Sequence, residues 1–133
     1  TKINGDGVEV ILDDGPVSLI RAADLRDMLN FLFSQHVTGI ALNGQRIIAS
    51  STISTTGTTI VVNTTKIAPP FVFDIITDDA EFLLKVLSAV ETLPDLTQRA
   101  TQEGVSFKFR AKEAIALPVY SGAYPQSFIT ESK

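Results

Sequence analysis

The sequence predicts an α+β domain, a ferredoxin-like split β-α-β sandwich with an inserted Thr-rich β-hairpin. Three observations predict it. Short apolar runs alternate with two segments of helical spacing, in the order β–α–β–β, further β, then β–α–β–β. One pair of runs is separated by Asn43-Gly44, the turn pair that best tolerates positive φ at both positions. The stretch from Ser50 to Thr65 is crowded with Thr, whose β-branched side chain suits strands better than a flexible linker. With 133 residues, 44% hydrophobic and 20% charged, the chain is long and apolar enough for one core. Residues 1–120 read as a single domain and 121–133 as a polar C-terminal tail.

The first strand is predicted over Val8–Leu12, between Asn4-Gly5-Asp6-Gly7 and the turn formers Asp13-Asp14-Gly15-Pro16. A helix follows over Ala22–Ser34, where Leu25, Met28, Leu29 and Leu32 share one face. It has no Ser or Thr cap, but Asp24 favours the dipole in its first turn. Gly39–Leu42 and Gln45–Ala49 form the Asn-Gly hairpin, and two short strands are expected around Gly57. After Pro69-Pro70, the run Phe71–Ile76 is broken only by Asp74 and suits a strand covered on both faces.

A second helix is expected from Asp78, paired with Glu81 as a capping box, with Phe82, Leu83, Val86, Leu87 and Val90 as its buried stripe. Pro94 ends it, and a shorter helix over Asp95–Glu103 closes at Gly104. Val105, Phe107 and Phe109 mark one further strand, and Ala114–Val119 another. The two β-α-β units are expected to be right-handed, with both helices on one sheet face.

Charge and composition exclude several classes. The formal charge is −4, and Lys108, Arg110 and Lys112 form the one basic cluster, spaced as a solvated strand face and not a phosphate track. No nucleic-acid partner is expected. The chain has no cysteine, which rules out disulfides and thiolate metal sites. No apolar run approaches the roughly 18–20 residues that span a bilayer. The chain opens at Thr1 with neither an initiator Met nor a signal-like stretch, so it reads as an excised or mature fragment. A membrane link is expected only through an anchor upstream.

No catalytic constellation stands out, and no catalytic residue, cofactor or metal site is assigned. His36, the single histidine, lacks a fixed partner and reads better as a cation at a helix terminus. The pairs Asp13-Asp14 and Asp78-Asp79 read as turn formers and helix caps before calcium ligands. Gly5-Asp6-Gly7 precedes a strand, the wrong context for a phosphate loop, and no Gly-x-Ser-x-Gly elbow occurs. The candidate binding residues are Asn43, Gln45 and Arg46, a guanidinium beside two amides on one hairpin. Their plainer reading is a turn followed by an ion-paired Arg. The Thr-rich hairpin is a second surface, suited to strand addition or to polar contact with a glycan or protein, or else a solvated meander.

Several of these residues carry a resemblance. Gly5-Asp6-Gly7-Val8-Glu9-Val10, Leu12-Asp13-Asp14, Asp24–Asn30, Gly39–Ile47, Ile53, Gly57, Pro69-Pro70-Phe71-Val72 and a late strand ending near Pro118 resemble domain-of-unknown-function family 881. The helix followed by the Asn-Gly-Gln-Arg hairpin is its most specific part. Gln35-His36-Val37-Thr38 departs from the usual small and acidic stretch, and Thr55-Thr56 stands where some members carry Cys. Those departures argue against a ligand site built from that loop.

The resemblance implies the extracytoplasmic domain of a membrane-anchored Gram-positive protein encoded near division genes, with an upstream membrane helix and coiled coil and no defining enzymatic activity. The expected function is therefore a non-enzymatic cell-envelope interaction module, linked to cell division or wall synthesis. Its expected partner is a protein or peptidoglycan, on the outer face of the cell membrane. Homo-oligomerisation is expected of the full-length protein, where a coiled coil raises local concentration. The alternative is a small-ligand-sensing domain binding an anionic ligand through Asn43 and Arg46. Least favoured is a cell-wall hydrolase, whose turnover would vanish when Asp13 or Asp78 becomes Asn.

Overall fold

The computed structural model describes residues 3–120. These residues hold eight strands and three helices. They are β1 (Ile3–Asp13), α1 (Ala22–Phe33), β2 (Gly39–Leu42), β3 (Gln45–Ile47), β4 (Ile53–Thr56), β5 (Thr59–Val62), β6 (Thr65–Ile67), β7 (Phe71–Ile76), α2 (Ala80–Leu87), α3 (Pro94–Gln102) and β8 (Ser106–Leu117). The class is α+β with two antiparallel sheets, one of five strands in the order β3-β2-β7-β1-β8 and one of three in the order β4-β5-β6.

The large sheet interleaves two β-α-β units. β1 and β2 run parallel with β7 antiparallel between them; β7 and β8 run parallel with β1 between them. α1 makes the first crossover, α2 and α3 the second. Strand side chains alternate between faces, so Val8, Val10 and Leu12 of β1 join Phe71, Phe73 and Ile75 of β7 on the helix side. Leu25, Met28, Leu29 and Leu32 of α1, with Leu83, Leu87 and Leu96, complete that core. α1 starts as its sequence requires: with Arg21 at the cap, the Asp24 carboxylate accepts the Arg21 N–H at 2.8 Å.

The sequence reading needs correction in several places. β7, expected to be covered on both faces, meets helices on one only, with Val72 and Asp74 half-buried on the other. The first strand does not begin at Val8; it includes Asn4-Gly5-Asp6-Gly7. The two late strands are one, β8, whose partnership with β1 shifts register between Gly5 and Gly7. The Thr-rich block forms the hairpin around Gly57, but a third strand, β6, follows a turn at Asn63 (φ 58°). In the second helix, Asp79 and not Asp78 is the cap, accepting the Phe82 N–H at 3.1 Å. That helix ends at Leu87, and only Leu83 and Leu87 of it are buried. Phe82 and Val90, expected inside, are 53% and 64% exposed. The polar tail predicted for 121–133 lies outside the described residues.

The register shift is a β-bulge, with Glu113 and Ala114 together opposite Asp6. Ala114 takes a positive φ of 55°, and the Asp6 carboxylate accepts its N–H at 3.0 Å. One extra residue reverses the facing of everything after it. Phe107 and Phe109 therefore pack with the helix-side core, while Ile115 and Leu117, also odd-numbered, join Ile3, Ala41 and Ile76 on the outer face.

Candidate functional site

The Asn-Gly hairpin forms as expected, with φ of 47° at Asn43 and 79° at Gly44, the signature of a type I′ turn. The Asn43 carboxamide is engaged in framework bonds. Its oxygen accepts the Val72 N–H at 2.7 Å, and its nitrogen donates to the Ala68 and Pro70 carbonyls at 3.1 and 3.3 Å. Asn43 thus locks the hairpin to the entrance of β7. Gln45 pairs with Leu42 and Arg46 with Ala41. As consecutive strand residues they leave opposite faces of the sheet. Arg46 lies on the outer face, half-buried, and its Nη1 donates to the Pro118 carbonyl at 3.2 Å.

β8 and β3 are the two edges of this sheet, yet Pro118 reaches Arg46. The bulge explains how. Past it, the paired ends of β1 and β8 extend beyond β7 and fold over the outer face, laying Ile3 and Leu117 on Gly39. A Cβ at Gly39 would stand 2.5 Å from Ile3 Cδ1 and 2.7 Å from Leu117 Cδ1, so a larger residue there would lift the ribbon.

Next to the ribbon the outer face carries charge. The Glu9 carboxylate, only 9% exposed as a residue, accepts from Arg110 Nε at 2.8 Å and Lys112 Nζ at 3.4 Å. Lys112 also reaches Asp74 at 3.0 Å. Its hydrogen bond to Asp74, opposed by partial desolvation, holds the ammonium above the ordinary lysine range. The basic face predicted from Lys108, Arg110 and Lys112 is therefore real as a spacing but partly neutralised within the sheet. Sequence reasoning missed Glu9 and Asp74. Their signal was a carboxylate within each of two apolar strands, which marks the face turned from the core.

Among the other candidates, Asp13 and Asp14 hold framework roles. Asp14 accepts the Ile20 N–H at 2.7 Å and Asp13 the Asp14 N–H at 2.8 Å, as turn formers do. Arg99, also unmarked by the sequence reading, gathers the loop before α1: it donates to Asp24 at 2.8 Å, Asp95 at 3.0 Å and Ser18 Oγ at 3.0 Å. The hydrogen bond to Asp24, with burial opposing, raises its already high pKa. His36 is exposed, and its carbonyl accepts from Thr77 Oγ1 at 2.9 Å. It borders a cavity of about 230 Å³ with Thr77, Asp78, Asp79, Phe82 and Leu83, below the roughly 300–1,000 Å³ of small-molecule sites. Among the described residues, no three His, Asp or Glu side chains gather closely enough to hold a metal. No described helix is long and apolar enough to cross a membrane.

Comparison with known proteins places this geometry. The fold is similar to a solved structure of an uncharacterized conserved protein from Mycobacterium tuberculosis, with a TM-score of 0.71 at 18% identity, covering 100% of this chain and 91% of that one. At that identity the likeness concerns the fold alone. Comparison with curated proteins gives no match. The family model for bacterial proteins of unknown function DUF881 matches residues 1–130, spanning the Asn-Gly-Gln-Arg hairpin, the bulged ribbon and both sheets, and the chain belongs to that family.

Proposed function

We propose that this domain is a non-enzymatic interaction module of the bacterial cell envelope, linked to division or wall synthesis and acting through a protein or peptidoglycan partner. One observation carries the non-enzymatic part. Several carboxylates suited to proton or metal chemistry are bonded to backbone or to a cation: Asp14 to Ile20, Asp79 to Phe82, Asp24 and Asp95 to Arg99, and Glu9 and Asp74 to Lys112. A carboxylate tied into the framework is less free to turn toward a substrate. The envelope and division parts rest on the family resemblance, and the order β2-β7-β1-β8 with its interleaved β-α-β units supports a ferredoxin-like reading of the fold.

The rival reading, a sensor of anionic ligands, needs Asn43 and Arg46 to meet on one ligand. It is less well served, because the Asn43 carboxamide is bound to β7 and Gln45 leaves the other face of the sheet.

Two measurements test the proposal. Protease accessibility of the full-length protein in intact cells should show this domain outside the membrane; protection there sinks the envelope reading. Co-sedimentation with peptidoglycan sacculi, with Arg46→Ala beside the parent, then separates the partners. Binding lost in the variant places a wall site on the hairpin, and absence of binding leaves a protein as partner.

A further inference from the structure

The second helix carries more apolar surface than the domain uses. Leu83 and Leu87 enter the core, whereas Phe82 is 53% exposed and Val86, one turn on, is only partly covered. Single exposed apolar residues are ordinary, but these two adjoin, and the cavity of about 230 Å³ beside Phe82 is walled by Val37 and Leu83. Next to this stripe, on the side away from the core, stand Glu81 and Lys85. Both are exposed, and among the described residues neither forms an ion pair.

We propose that α2 is a homodimerisation surface, packing antiparallel on α2 of a second copy. The arrangement is self-complementary. Residues four apart lie on one flank of a helix. A twofold axis crossing at the level of Leu83 and Leu84 sets Glu81 against Lys85 of the other copy, and Lys85 against its Glu81. Two reciprocal ion pairs result, as an isologous contact requires. The same axis brings Phe82 onto Val86 of the second copy, with the cavity beside it open to a side chain. A partner of one charge sign would satisfy only half of this flank; a second copy satisfies all of it.

An eight-residue helix is only about 12 Å long, which puts the contact at the small end of specific interfaces. The dimer is therefore weak and concentration-dependent. It rests on neither the envelope reading nor an upstream coiled coil.

Sedimentation velocity of the 133-residue chain over a concentration series tests it, with far-UV circular dichroism confirming that each variant folds. The parent mass should rise from 14.3 kDa toward twice that value. Phe82→Ser should abolish the rise. Lys85→Glu should weaken association at least about tenfold, because two like-charge pairs replace two attractive ones, and the charge-swapped Glu81→Lys/Lys85→Glu variant should recover most of it. A parent chain monomeric up to about 1 mM, near the weak limit of specific binding, overturns the proposal. So does a dimer indifferent to both single variants, or a charge-swapped variant as weak as Lys85→Glu.

Discussion

The two faces of the five-stranded sheet are made from alternate residues of the same strands, yet they are stabilised differently. On the helix side, Val8, Val10, Leu12, Phe71, Phe73 and Ile75 meet three helices in a continuous apolar core. On the outer side, Glu9, Asp74, Arg110 and Lys112 pair across strands, and a smaller cluster of Ile3, Ala41, Ile76, Ile115 and Leu117 sits beneath the folded ribbon. The first face depends on periodicity, which many apolar residues supply redundantly. The second depends on single positions: a bulge at Glu113-Ala114, a glycine at 39 and a carboxylate at 9. A sheet face without helices on it can still be ordered, but only by particular residues.

Substitutions on the two faces test this contrast. The largest loss is expected on the helix side: Phe73→Ala, at a fully buried position, should cost about 3–5 kcal/mol in urea unfolding. A loss below about 1 kcal/mol there would deny that the helix face dominates stability. Gly39→Val comes next, at about 1–3 kcal/mol, because its side chain would displace Ile3 and Leu117. Proton NMR should localise the shift changes to Ile3, Leu117 and Arg46, and unchanged spectra at those residues would show that the ribbon does not rest on Gly39.

Glu9→Gln should cost about 1 kcal/mol, since its cationic partners are partly solvated. The alkaline limb carries a related signature. Because folding raises the Lys112 pKa, its ion pairs contribute fully below the ordinary lysine value of 10.5 and are lost as pH rises through the folded value. Lys112→Met should therefore flatten the loss of stability above that pH, and an unchanged alkaline slope would remove Lys112 from the account. The smallest effect is expected off the sheet. Phe82→Ser on the exposed side of α2 should change monomer stability by no more than about 0.5 kcal/mol, distinguishing an interface residue from a core one.

Much of the architecture was legible in the residues. The α1 stripe, the Asn43-Gly44 turn, the Gly57 hairpin and the β7 run each declare themselves locally, through period, turn chemistry or β-branching. The candidate hairpin was legible as a turn but not as a site, because partners such as Val72 and Pro118 are remote in sequence. The stripe assigned to the second helix merged two faces. Phe82 and Val86 keep helical spacing with Leu83 and Leu87, and apolar identity cannot say which residues the sheet will cover.

The α+β class, the order and nature of most elements, and the apolar side of most of them are written in local residue patterns. These follow from interactions within a few residues, which periodicity and turn preference record. Tertiary structure alone decided the bulge that turns Ile115 and Leu117 to the outer face, the fold of the ribbon onto Gly39 and the exposure of Phe82. Strand register is a relation between distant segments, and one inserted residue reverses the facing of every side chain beyond it.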